Sequence, residues 1–133
     1  MDADPSRMVV TAAVIERNGA FLVTRRLAGT HLEGYWEFPG GKCHRGESRT
    51  DCLERELAEE LGARSRIGAE IFSVAHAYPD RKVELHFFAC ELADEPRPLI
   101  GQEMRWVTRA ELRTLRLPPA DAELLELLQR AQS

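Results

Sequence analysis

Apolar and polar positions change period several times along the chain, and each change marks an element. Met8 to Ile15 (MVVTAAVI) is a β-branched-rich run that predicts a strand. Arg17-Asn18-Gly19 follows as a turn whose Asn-Gly step suits positive φ, and Ala20 to Thr24 returns as the partner strand. From Arg26 to Gly46 neither the helical nor the alternating period holds, and five glycines and a proline predict a long loop around a short strand at Tyr35 to Phe38. Helical spacing resumes from Ser48 to Leu61, with Ser48 and Asp51 placed as an N-terminal cap pair and Gly62 as the stop. Glu70 to Tyr78 and Val83 to Leu92 flank a Pro79-Asp80 turn and predict a hairpin, and Met104 to Val107 predicts a further strand. Thr108 caps a short helix through Leu115. After Pro118 and Pro119, Ala120 to Gln132 carries leucines at 124, 125, 127 and 128 as one apolar stripe at helical spacing. These elements add up to a mixed sheet with helices packed on it, in one domain spanning 1–133, with no internal repeat.

Composition narrows the function classes. A chain of 133 residues with 44% hydrophobic and 30% charged residues suits one compact core. The net charge of −4 argues against a general nucleic-acid coat, which needs a basic surface, and leaves a small metal-bridged anion acceptable. Cys43, Cys52 and Cys90 make an odd set without CxxC spacing, so reduced thiols are expected rather than a disulfide framework. Nothing among Cys43, His44 and His31 has the ligand spacing of a zinc site. The acidic start MDADPSR and the lack of a long apolar run predict a soluble, cytoplasmic protein without a membrane span. The leucine stripe closes the protein's own core or forms a dimer face, so monomer and homodimer both stand.

Glu56, Glu59 and Glu60 are related as i, i+3 and i+4, which places their carboxylates on or near one helix face. Like charges so spaced repel. A solvated acidic face screened by Arg55 is one explanation; a hard divalent cation, which takes oxygen ligands, is the other. The context favours the second. Phe38-Pro39-Gly40-Gly41-Lys42 lies just upstream, where two glycines let backbone approach a metal or phosphate, and Glu47 sits at the helix entrance.

Gly41, five residues, Glu47, seven residues, then Arg55-Glu56-Leu57-Ala58-Glu59-Glu60-Leu61-Gly62-Ala63 fills every fixed position of the Nudix signature, and the chain is identified by resemblance as a member of that family. It is similar to bacterial MutT-like pyrophosphohydrolases through Val23-Thr24-Arg25-Arg26, Trp36 to Lys42, Pro79-Asp80-Arg81 and Leu117 to Asp121. The resemblance implies an α/β/α sandwich with a mixed β-sheet. It implies that Glu56, Glu59 and Glu60, with the Gly40 carbonyl, bind Mg2+, for which Mn2+ substitutes, while Arg55 and Glu47 hold the metal carboxylates in place. The activity implied is hydrolysis of a nucleoside triphosphate to monophosphate and pyrophosphate, with water attacking the β-phosphorus and Glu56 the first candidate for general base. Glu103, near the strand at Trp106, is a possible additional acidic ligand.

By the same similarity Arg26 meets phosphate or sugar, Phe38 and Tyr78 line a base pocket, Asp121 meets the base edge, and Arg81 is a further substrate-binding residue. Arg26, Phe38, Tyr78 and Asp121 also have plain readings: an ordinary exposed arginine, core aromatics, and a cap for the helix after the prolines. An ionised Asp121 only accepts hydrogen bonds, which suits the donor-bearing edges of guanine and cytosine. The expected substrate is thus 8-oxo-dGTP or a related (d)NTP, with CTP, dCTP or 5-methyl-dCTP as the alternative. ADP-ribose or a dinucleoside polyphosphate is a more distant alternative, and a nucleotide-sensing domain without catalysis a rival of another class.

Overall fold

The computed structural model describes residues 7–130. The acidic first residues, and the expected end of the last helix at Gln132, lie outside the described residues. Among those described, seven strands form one sheet: β1 (Arg7–Arg17), β2 (Ala20–Arg25), β3 (Trp36–Glu37), β4 (Gly40–Lys42), β5 (Ser65–Tyr78), β6 (Arg81–Leu92) and β7 (Met104–Thr108). The helices are α1 (Arg49–Leu61), α2 (Arg109–Leu112) and α3 (Pro119–Arg130). The main strand order is β3-β2-β1-β6-β5, with β4 paired to β1 and β7 paired to β2. The sheet is mixed because β1 runs parallel to β6 but antiparallel to β2 and β4.

Strand alternation sorts the apolar residues into two layers. Ala12, Val14, Phe21, Val23, Trp36, Phe38 and Phe87 face α2 and α3, joining Leu112, Ala120, Leu124 and Leu128. Ala13, Ile15, Leu22, Phe88 and Cys90 face the other way, against Leu53, Leu57 and Leu61 of α1. The result is the α/β/α sandwich. Leu124 and Leu128 lie in the core, so the stripe of the last helix closes its own domain.

Boundaries differ from the sequence reading where regular pattern fails. β5 starts at Ser65 rather than Glu70, because register shifts between Ile67 and Phe72 break its alternation. Gly68 marks the irregular segment, where a Cβ would press on the Ala89 carbonyl oxygen. β4 was not expected as a strand, since Gly-Gly-Lys carries no β propensity; pairing with Val10 to Ala12 imposes it. The helix capped by Thr108 ends at Leu112, and α3 begins with Pro119 at its first position, placing Asp121 inside the first turn rather than at the cap.

Candidate active site

The site is built by seating α1 against β4. Ser48 caps α1, its hydroxyl accepting from the Asp51 N–H at 3.1 Å, and Gly62 ends it in the left-handed region at φ 63°. Leu53, Leu57 and Leu61, spaced by four, are fully buried and fix the rotation of the helix. The adjoining row, Cys52, Glu56 and Glu60, then runs along β4. At Gly41 a Cβ would overlap the Glu56 carboxylate, the movable end of a side chain, whereas at Gly40 it would overlap the Thr11 carbonyl oxygen, so that Gly40 excludes a side chain and Gly41 admits one only if Glu56 shifts.

Arg55 ties this arrangement to the loop before α1. Its Nε donates to Glu47 Oε2 at 2.7 Å and its Nη2 to Glu47 Oε1 at 3.0 Å and to the Lys42 carbonyl at 3.1 Å. Nη1 donates to Glu59 Oε1 at 3.1 Å, and Glu47 accepts also from the His44 N–H. These hydrogen bonds from Arg55 hold the Glu47 carboxyl down at about 2.

The inner carboxylates behave oppositely. Burial, reinforced by Glu56, Glu37 and Glu59, pushes Glu60 up to about 8, against a hydrogen bond from the Gly40 backbone. Burial likewise raises Glu56, and it raises Glu37 despite an ion pair to Arg26 at 2.9 Å. Among the described residues no three His, Cys, Asp or Glu side chains come together as a ready-made metal cage. Glu56 and Glu60 turn to β4, and Glu59 turns outward to Arg55. The donor chemistry still fits a hard divalent cation: oxygen ligands only, crowded and desolvated as anions, against glycine backbone that leaves room.

An open cleft of about 210 Å³ carries Thr24, Arg26, Glu37, Gly40, Glu60 and Gln102 on its walls. Of the expected residues, the structure therefore brings together Arg26, Gly40 and Glu60 in the cleft, with Glu56 beside Gly41 and Arg55, Glu47 and Glu59 linked behind them. Two participants were not anticipated. Trp36 and Phe38 point to the α3 side of the sheet, so alternation sends Glu37 to the α1 side, a signal present in the sequence. Gln102 is buried and donates to the Glu60 carbonyl at 3.1 Å while accepting from the Ile100 N–H; nothing in the sequence marked it.

Other expectations are corrected. The Phe38 ring is only 2% exposed and packs edge-on against Phe87, in line with the core-aromatic reading, and its backbone N–H donates to Asp121 Oδ2 at 3.1 Å. Asp121 is buried, and burial pushes its carboxyl up to about 7, so it is not the permanently ionised acceptor assumed above. Glu103 is exposed and paired to Arg25 at 2.7 Å, on a hollow that shares Arg25, Arg26 and Gln102 with the cleft. Arg81 pairs across the β5–β6 turn with Tyr78, whose side chain lies outside the described residues. Gly40 lies level with Ala12 and hence with Phe87, so residues 81 to 87 put Arg81 roughly 20 Å along β6 from the cleft at about 3.3 Å per residue. Cys43 and Cys52 are not separate thiols but are joined by a disulfide, with Cα atoms 5.2 Å apart; their nine-residue separation hides a contact made only when β4 packs on α1.

Among the described residues no helix is long and apolar enough to cross a membrane. The NUDIX domain family matches residues 10–127. A CTP pyrophosphohydrolase of Escherichia coli is 37% identical, covering 88% of this chain and 87% of that protein. An 8-oxo-dGTP diphosphatase of Haemophilus influenzae is 36% identical, covering 92% of each. The solution structure of the E. coli ORF135 protein superposes with a TM-score of 0.82 at 33% identity, over 96% of this chain and 92% of that one. A MutT protein from Methanosarcina mazei Go1, 23% identical, shares the fold with a TM-score of 0.83 over 99% of both. With the signature glutamates seated on one helix beside the Gly40-Gly41 strand, the chain belongs to the Nudix hydrolase family.

Proposed function

We propose that this protein is a magnesium-dependent nucleoside triphosphate pyrophosphohydrolase, with manganese able to substitute, that releases nucleoside monophosphate and pyrophosphate from a cytoplasmic nucleotide pool. The observation that carries this reading is the packing of the Glu56 and Glu60 carboxylates onto the Gly40-Gly41 backbone, in a cleft that also holds Arg26.

Glu56, Glu59, Glu60 and the Gly40 carbonyl would hold the ion, and Glu37 stands close enough in charge to Glu60 to share the task. When bound, divalent metal neutralises phosphate charge and lowers the pKa of a water, the two requirements of phosphoanhydride cleavage. Arg55 and Glu47 keep the glutamates aimed, and Arg26, already fixed by Glu37 and the His31 carbonyl, offers its remaining donors to phosphate or sugar. Glu56 is the first candidate to take the proton of the attacking water, although carboxylates so coupled titrate as a set.

For the base, Asp121 is the reader we propose. A carboxyl with a pKa near 7 both accepts and donates near neutral pH, which widens the bases it fits. We favour 8-oxo-dGTP or a related damaged (d)NTP. A cytidine triphosphate is the second reading, supported by likeness to the E. coli CTP pyrophosphohydrolase. The test is pyrophosphate release with magnesium across 8-oxo-dGTP, dGTP, CTP, dCTP, 5-methyl-dCTP and ADP-ribose, with Glu59→Gln as the control. A higher kcat/KM for 8-oxo-dGTP supports the first reading and a higher value for cytidine nucleotides the second, while turnover of ADP-ribose alone would refute both.

A further inference from the structure

We propose that Cys43 and Cys52 are a reversible redox modification site that sets how firmly β4 is held against the glutamate row of α1. Their Cα separation of 5.2 Å lies within the span a disulfide bridges without moving backbone. Cys43 directly follows β4, the strand of Gly40 and Gly41. Cys52, Glu56 and Glu60 stand at i, i+4 and i+8 and so form one row on α1, with Cys52 one turn before the carboxylate that rests on Gly41. The bridge thus joins the two elements that supply the proposed ion's ligands, across the loop that contains Glu47.

Exposure divides the roles of the two sulfurs. Cys52 is fully buried, whereas Cys43 is partly exposed between Lys42 and His44-Arg45, all exposed. An incoming thiolate or disulfide therefore meets Cys43 first, in basic surroundings that suit thiol exchange. In the bridged structure the Cys52 sulfur has the Thr11 hydroxyl at 3.3 Å and lies 3.8 Å from the Gly41 carbonyl, an acceptor within reach once the sulfur carries a proton. Cys90 is buried under α1 with its sulfur on the Phe88 carbonyl, apart from this pair.

The exchange balances with a small-molecule disulfide as oxidant. The Cys43 thiolate attacks one sulfur and expels a thiolate; Cys52, losing its proton, attacks the Cys43 sulfur of the mixed disulfide and expels the second. Two protein thiols and one disulfide become the Cys43–Cys52 bridge and two small thiols, and a dithiol reverses the process. The bridged form holds β4 and α1 in register before the ion arrives, so it binds the ion more tightly. That consequence rests on the metal reading above, whereas the pairing does not.

The experiment equilibrates the full chain in reduced dithiothreitol or in oxidised glutathione, quenches with acid, alkylates under denaturing conditions and maps the peptides. Three alkylated thiols are expected when reduced, and one, with a Cys43–Cys52 peptide pair, when oxidised. Mn2+ titration followed by electron paramagnetic resonance is expected to give about three- to tenfold tighter binding in the bridged form, the usual gain from preorganisation. Cys43→Ser and Cys43→Val are expected to match the reduced form in either buffer. Three thiols under oxidising conditions, or equal Mn2+ affinity with the bridge formed, would overturn the proposal. Absence of Mn2+ binding in both states would sink the metal assignment and the coupling with it, leaving the thiol count to judge the pairing.

Discussion

The Arg55 guanidinium grips the Glu47 carboxylate through two hydrogen bonds, at 2.7 and 3.0 Å, across the turn that leads into α1. The same guanidinium also holds the Lys42 carbonyl and Glu59, so one side chain links β4, the loop and the helix. Glu47→Gln removes the charged half of the pair. Its expected cost is roughly 10- to 100-fold in kcat or in magnesium affinity, the usual effect of losing a partner that orients metal ligands. Arg55→Lys is expected to fail as a rescue, because an ammonium cannot reproduce the fork. Steady-state kinetics over a magnesium titration would check both, and wild-type behaviour in Glu47→Gln would remove the pair from the account.

Gly41→Ala tests the close approach of strand and helix. The added methyl would overlap the Glu56 carboxylate, the flexible end of a side chain, so the fold is expected to survive while metal-dependent turnover falls sharply. Gly40→Ala meets the Thr11 backbone instead and is expected to lower stability by about 1–3 kcal/mol, as overpacking does. Circular dichroism melts beside activity assays separate the two outcomes.

The raised carboxyls predict a pH dependence of the metal-free protein. Glu60 has a folded pKa of about 8, above its ordinary 4.5, so its stability contribution is full below about 4.5 and is lost as pH rises through 8. Asp121 acts in the same direction, losing its contribution between 3.8 and about 7. Glu47, Glu84 and Asp94, all depressed to about 2, act only below that window. The melting temperature in EDTA should therefore drop from pH 5 to 8.5, and Glu60→Gln should flatten the drop. Magnesium should stabilise the wild type more at pH 8 than at pH 6. A flat profile in the wild type would contradict the buried-carboxylate account.

Asp121→Asn keeps an oxygen for the Phe38 N–H but abolishes the titration. The expected result is a base preference that no longer changes between pH 6 and 8, where the wild type passes from a carboxyl that can donate to a carboxylate that only accepts. The ratio of kcat/KM for 8-oxo-dGTP and CTP at each pH is the measurement. Identical ratios in variant and wild type at every pH would remove Asp121 from base recognition.

Glu103→Gln is expected to leave hydrolysis within about twofold of wild type, since its carboxylate is exposed and engaged by Arg25, and exposed pairs contribute little. A loss of an order of magnitude would return Glu103 to the list of ligands.

The parts of this site legible in the sequence are those encoded by local spacing. Ser48 and Gly62 bracket α1, and helical period alone places Glu56 and Glu60 in one row. Residues whose placement depends on packing were read less well. An aromatic beside a glycine turn has no local mark of its layer, so the sequence leaves Phe38 open between pocket wall and core; the sheet packs its ring in the core and brings its N–H to Asp121. The raised carboxyl of Asp121 has no local mark, because burial is invisible in a sequence. Arg81 falls in a family-like motif, yet its distance from Gly40 is decided by the registers of β6, β1 and β4, set by long-range pairing. Cys43 and Cys52 meet for the same reason.

The most direct measurement is product analysis by anion-exchange chromatography after single-substrate incubations of the wild type and Glu56→Gln with and without magnesium. The account predicts nucleoside monophosphate and pyrophosphate in one-to-one ratio from the wild type, only when magnesium is present, and at least about 100-fold slower turnover by Glu56→Gln, as expected when a metal-holding or proton-accepting group is lost. Nucleoside diphosphate with inorganic phosphate, equal rates in EDTA, or an undiminished Glu56→Gln would contradict it.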